Sequence, residues 1–153
     1  MLLKKSLSLF AVAGLLSVVY ASDKVRSPQV IFTKKCAMCH TIDRPTNKAQ
    51  KKRMVAPPIK MAMSGVVITI DAVEGPMSDS ELREESIDFL KDYLYNPHRD
   101  KTNCEDFVVK KFGMMPSLKG FISQKELDVV VPWVYDKFKP SKVDGKYQDQ
   151  HKK

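Results

Sequence analysis

Cys36, Cys39 and His40 stand together in the stretch "KKCAMCHTIDRP", residues 34–45, and their types and spacing admit three chemistries. A redox dithiol of the thioredoxin kind requires Cys-x-x-Cys just after a buried strand in a βαβ unit, and no such setting surrounds this one. A zinc site requires a fourth ligand from a second Cys/His pair at knuckle spacing, which His98 and Cys104 do not provide. The third chemistry is covalent attachment of haem. Cys-x-x-Cys-His lets each thiol add to a vinyl group while the adjoining imidazole reaches the iron from the same side. The motif is specific to that use, and Cys104 has no part in it.

An iron held by His40 on one face needs a ligand on the other. Most of the eight methionines are expected to be flexible core filler. Met114 and Met115 differ because "KFGMMPSLKG" reads as a loop between two helices, where a side chain can be aimed at a ligand. Pro116 biases the residue before it toward extended backbone, which favours Met115 as the distal ligand. Met114, His98, Met61, Met63 and an open iron site are the alternatives.

Helices must position these groups. Ser27 and Pro28 read as a cap and first-turn proline, opening a helix "PQVIFTKKCAMCH" that carries the Cys/His cluster. Residues 41–60 are polar, basic and proline-containing, and read as loop. "KMAMSGVVITIDAVEGP" is ambiguous: its β-branched run fits a strand or a helix made stable by packing, with Gly65 and Gly75 interrupting either. Ser78 and Glu81 form a capping box for a helix ended by Pro97, with Leu82, Ile87, Phe89, Leu90, Tyr93 and Leu94 as its apolar surface. "HRDKTNC" reads as a polar turn and "EDFVVKKFG" as a short helix. Ser123 and Glu126 make a second capping box, Ile122 and Leu127 a hydrophobic staple, and apolar residues recur at helical spacing from Leu127 to Phe138. Pro132, inside that pattern, is expected to bend the helix without breaking it. Residues 139–153 are basic, lack periodicity and are expected to fray. The fold class is therefore all-α.

Compartment agrees with the attachment chemistry. Residues 1–21 pass from Lys4 and Lys5 through an apolar run to Ala21, the pattern of an export signal cut after Ala21. An uncleaved anchor is the alternative, but the run is short for a span of about 20 residues and holds Ser8 and Ser17. Three cysteines after the signal leave an odd thiol, which does not suit a disulfide scaffold. Loss of Lys4 and Lys5 lowers the formal charge from +8 to +6. That charge fits anionic partners. Nucleic acid is excluded as a partner by compartment and by the lack of an aromatic-interleaved basic stripe.

On the segments "FTKKCAMCH", "APPI", "FGMMPSLKG" and "SQKELDVVVPWVYDKF", the chain resembles the class I monohaem cytochromes c of bacterial export type over residues 28–138. The resemblance implies a helical fold wrapped around one covalently attached haem c, with residues 22–138 as the cytochrome domain. Cys36 and Cys39 would be the attachment points, His40 the proximal ligand and Met115 the distal ligand. Pro57 would offer its carbonyl to the proximal imidazole, Ile59 would contact the haem, and Phe32 would pack on the last helix near Val130, Trp133 and Val134. Pro28, near a position where the family commonly has glycine, and Pro132 depart from its pattern.

The function implied is one-electron transfer in the periplasm or at the periphery of the inner membrane, between redox protein partners. Lys34, Lys35, Lys48, Lys51, Lys52, Arg53, Lys110, Lys111 and Lys119 flank the ligand-bearing segments and suit a partner with an anionic docking surface. No acid/base pair and no second haem motif is present, so an enzyme is not expected. The alternatives are a haem-bearing subunit of a larger membrane respiratory complex, and a haem enzyme or gas sensor with an open distal site.

Overall fold

Six α-helices follow one another along the chain: α1 (Pro28–Lys35), α2 (Lys48–Arg53), α3 (Ile59–Val73), α4 (Asp79–Tyr95), α5 (Asp106–Phe112) and α6 (Gln124–Phe138). They are seen in a computed structural model that describes residues 25–75, 77–102, 104–143 and 146–148. The signal expected over residues 1–21 lies outside the described residues. The architecture is all-α, a bundle of six helices.

Both capping boxes form. Ser78 accepts from the Glu81 amide while Glu81 reaches back to the Ser78 N–H, and Ser123 and Glu126 repeat the arrangement at the start of α6. Ile122 and Leu127 are both buried in the core behind that second box. α6 continues unbroken through Pro132, at the loss of one donor to its backbone ladder.

Helix α6 packs on α1, α3 and α4. Phe32 meets Trp133 at 5.6 Å and Phe138 at 5.4 Å between ring centroids, and Trp133 stands edge-on to Phe138 at 5.7 Å. Phe138 is thus a partner of Phe32 that spacing alone did not indicate. A two-point ion pair from Arg83 to Asp136, 2.9 and 2.8 Å, joins α4 to α6 outside the core.

Four expectations are corrected. The first helix ends at Lys35: Cys36 and Ala37 both donate to the Phe32 carbonyl, and Cys39 and His40 both donate to the Cys36 carbonyl, so residues 36–39 are a turn. Ser27 precedes the helix but its side chain makes no capping bond, so Pro28 alone marks the start. The loop expected over residues 41–60 contains α2, capped by Asn47, whose side chain accepts from the Gln50 amide; no residue of α2 is buried, which is why periodicity missed it. The tail also has structure. Lys142–Val143 and Lys146–Tyr147 pair as antiparallel strands β1 and β2, and Pro140 before them is buried.

The ambiguous segment resolves as α3. Ile59, Met63, Val67 and Ile70 are buried at helical spacing, so tertiary packing overrides the β-branched preference, and Gly65 lies within the helix. A short connection then turns the chain into α4. Among the described residues, no helix is long and apolar enough to cross a membrane.

Asp71 on α3 holds the tail hairpin. Lys142 Nζ and Tyr147 OH each donate to its Oδ2 at 2.8 Å, and these two bonds, Lys142 first, hold its carboxyl below the usual carboxylate range. The stabilisation is present above the unfolded carboxylate pKa of about 3.9 and is lost as pH falls through the lower folded value. Asp71→Asn should lower unfolding stability by about 1 kcal/mol at pH 7. Urea midpoints should converge with those of the parent once the parent's Asp71 carboxyl is protonated in acid; a constant difference at all pH values would mean the ion pair contributes nothing.

Candidate functional site

The turn after α1 brings Cys36, Cys39 and His40 to one wall of a cavity that encloses about 1500 Å³ not filled by protein atoms, part of it open to solvent. Ile59, Ala62, Met63 and Val66 from the first half of α3 line it, as do Phe89, Leu90, Tyr93 and Leu94 from the second half of α4. Val108, Val109 and Phe112 of α5 close another side, and Val130, Val131 and Val134 of α6 form the back. Pro57, Met114, Met115 and Pro116 complete it. The sequence candidates Cys36, Cys39, His40, Pro57, Ile59 and Met115 therefore meet at one cavity, although they come from three different parts of the chain.

Two hydrogen bonds tie the turn to the start of α3. His40 Nδ1 lies 2.8 Å from the Pro57 carbonyl oxygen, and the Ile59 amide donates to the Thr41 carbonyl at 2.8 Å. A carbonyl can only accept, so Nδ1 carries the proton and Nε2 is left with a free lone pair. Burial holds the imidazole below its ordinary pKa, against the smaller opposing effect of the Pro57 bond. His40 is accordingly neutral at pH 7, the form in which a histidine ligates a metal.

The thiols differ. Cys36 is half-buried, and burial, with a lesser contribution from Cys39, pushes its pKa up to about 11. Cys39 and Cys104 are exposed, and all three are free thiols. Cys104 also lines the cavity. Nothing in its spacing from the other two pointed there.

Several distal candidates separate on position. His98 stands beside the short 3-10 turn at Arg99–Lys101 with Nδ1 3.2 Å from an Asp100 carboxylate oxygen and its side chain 67% exposed, and it is not among the residues that line the cavity. Met61 is likewise not among the lining residues, whereas Met63, 2% exposed, is both a core residue and part of the wall. Met114 and Met115 are half-buried at the cavity, and Met115 also packs against the buried core.

A thiol pair, a neutral imidazole with a free Nε2 and a thioether, set in apolar walls, make a donor set that fits a covalently attached haem. Cys36 and Cys39 could hold its edge, and His40 and Met115 its iron. Among the described residues no group of three or more His, Cys, Asp or Glu side chains is placed to hold a metal ion.

Among known proteins, an uncharacterized protein of Aquifex aeolicus (strain VF5) is 34% identical over 119 residues, covering 72% of this chain and 73% of its own. No family model matches the chain. No solved structure matches it.

Burial of Cys36 has a chemical consequence that can be measured. Only the thiolate alkylates, and a rise from 9.0 to about 11 lowers the thiolate fraction about a hundredfold at pH 8. In the chain carrying nothing on its thiols, iodoacetamide should modify Cys39 and Cys104 well before Cys36, as followed by peptide mass spectrometry. Equal rates for Cys36 and Cys104 would refute the buried environment assigned to Cys36.

Proposed function

This chain belongs to the same family as the Aquifex aeolicus protein, and we propose that it is an exported monohaem cytochrome c acting as a one-electron carrier. The observation that carries the proposal is the convergence of Cys36, Cys39, His40 and Met115 on one apolar cavity. Bound there, a haem would supply a one-electron couple. Cys36 and Cys39 would prevent its loss. Pro57 fixes the tautomer of His40 and makes the imidazole a stronger donor through Nε2. Met115 offers a soft, neutral sulfur, which favours the reduced state. The valines and leucines of α3, α4 and α6 keep water from the walls, which disfavours the extra charge of the oxidised state.

Were His40 and Met115 both to hold the iron, little room would remain there for a substrate, which suits a carrier more than an enzyme. A haem-bearing subunit of a larger membrane complex uses the same site and differs only in its partners. An enzyme or gas sensor would require Met115 to be absent from the distal side. Periplasmic location follows from the export signal read in residues 1–21.

Charge distribution supports a particular docking end. Between Asp43 and Asp71 the chain has six cations and no acid, four of them at Lys48, Lys51, Lys52 and Arg53 of α2. α2 lies beside the Cys/His turn, since Gln50 and Arg53 share a surface hollow with Ala37 and His40. Asp79, Glu81, Glu84, Glu85 and Asp88 crowd the start of α4. That start adjoins the far end of α3, whose 15 residues span about 22 Å. Cations thus cluster near His40 while the carboxylates of α4 gather at its start, a distribution that would favour approach of an acidic redox protein from the α2 side.

Mature protein from a host competent in export and haem attachment should keep its haem through acid-acetone extraction, and Cys36→Ala/Cys39→Ala should lose it; extractable haem in the parent would end the proposal. Met115→Ala should abolish the methionine-to-iron charge-transfer band of the ferric form and lower the reduction potential, while Met114→Ala keeps the band. The reverse pattern would move the distal role to Met114.

Docking charge is testable with small reagents. Oxidation of the ferrous protein by ferricyanide should slow as salt rises, and Lys51→Glu/Lys52→Glu should slow it severalfold at low salt and flatten that dependence. A double variant that reacts like the parent at every ionic strength would remove α2 from the docking surface.

A further inference from the structure

The segment that follows Met115 is fastened to the end of α4. Ser117 Oγ donates to the Tyr95 carbonyl at 2.6 Å and accepts from the Lys119 amide at 3.2 Å. The Leu118 amide donates to the Leu94 carbonyl at 2.8 Å, and the Tyr95 hydroxyl donates to the Ile122 carbonyl at 2.8 Å. Leu94 and Tyr95 are the last two residues of α4, where carbonyls have no partner within the helix. Those carbonyls are satisfied here by residues 117 and 118.

We propose that the Ser117–Tyr95 hydrogen bond positions the Met115 thioether as distal ligand; the proposal rests on the haem reading above. Only Pro116 lies between Ser117 and Met115. Its ring fixes its own φ and biases Met115 to extended backbone, so few soft backbone torsions separate the anchor from the Met115 Cα. On the other flank Gly113 leaves α5 at φ +75°, its amide donating to the Val109 carbonyl at 2.8 Å, and Met114 stands between it and Met115. Leu94, which accepts the second bond, also lines the cavity, so the anchor ties the ligand loop to the wall it must face. Ser117 itself is exposed. Its hydroxyl therefore acts through the bond and not through burial.

The experiment uses the haem-loaded mature protein and reads the ferric charge-transfer band, the affinity for imidazole as a competing distal ligand, and amide exchange at Leu118. Ser117→Ala should weaken the band, accelerate exchange at Leu118 and raise imidazole affinity about fivefold, the factor expected from one net hydrogen bond. Ser117→Thr, which keeps the hydroxyl, should restore all three. If Ser117→Ala changes only the melting temperature and leaves the band and imidazole affinity as in the parent, the bond is structural and the proposal falls. Should Ser117→Ala yield no folded protein, Tyr95→Phe removes the companion bond to Ile122; a rise in imidazole affinity supports the clamp and an unchanged value overturns it. Absence of the band in the unmutated protein would instead overturn His40/Met115 ligation, and this proposal with it.

Discussion

Helix α6 sets the frame because it is packed against α1, α3 and α4 at once. α1 delivers the Cys/His turn, α4 anchors the methionine loop, and α3 supplies the wall between them. Their relative placement is therefore fixed by one buried face running from Leu127 to Phe138. The Phe32, Trp133 and Phe138 rings sit where α1 crosses α6, at centroid separations of 5.4 to 5.7 Å. Edge-to-face and tilted contacts of this kind add specificity of angle to what apolar burial supplies as bulk attraction. A shift at this crossing would displace Cys36, only one residue beyond the end of α1.

Within that frame the His40 side of the cavity is held locally. His40 to Pro57 and Ile59 to Thr41 close the chain on itself, so residues 42–56, α2 included, form an excursion whose ends are pinned. An excursion of this type can carry a dense positive charge without disturbing the imidazole it surrounds. Self-repulsion among Lys48, Lys51, Lys52 and Arg53 is borne by solvent, because α2 buries none of them.

The parts of this structure legible in the sequence are those encoded over a few residues. Both capping boxes, the loop bounded by Gly113 and Gly120 at positive φ, and the periodic face of α6 all depend on neighbours within one or two turns. The Cys/His cluster was legible for the same reason. α3 was not, since its β-branched run satisfies two local preferences and only the core decides between them. α2 has no apolar face to betray it. The tail hairpin depends on Asp71, more than seventy residues earlier, and Cys104 lines the cavity through a placement that its spacing from Cys36 and Cys39 does not encode.

This contrast extends to the two sides of the site. The imidazole is oriented by a carbonyl 17 residues away across a closed excursion, whereas Ser117 reaches Tyr95 over 22 residues that include a turn, α5 and Gly113. The longer path has more ways to relax. Proline before the anchor and two hydrogen bonds to the end of α4 reduce that freedom, yet they hold the loop by its backbone and leave the thioether itself to rotate about unbranched bonds. His40 has no such latitude, because one ring nitrogen is already bonded and its burial disfavours protonation. His40 is therefore the fixed point of the site, and the Met115 side is where tertiary contacts set how firmly the cavity is closed.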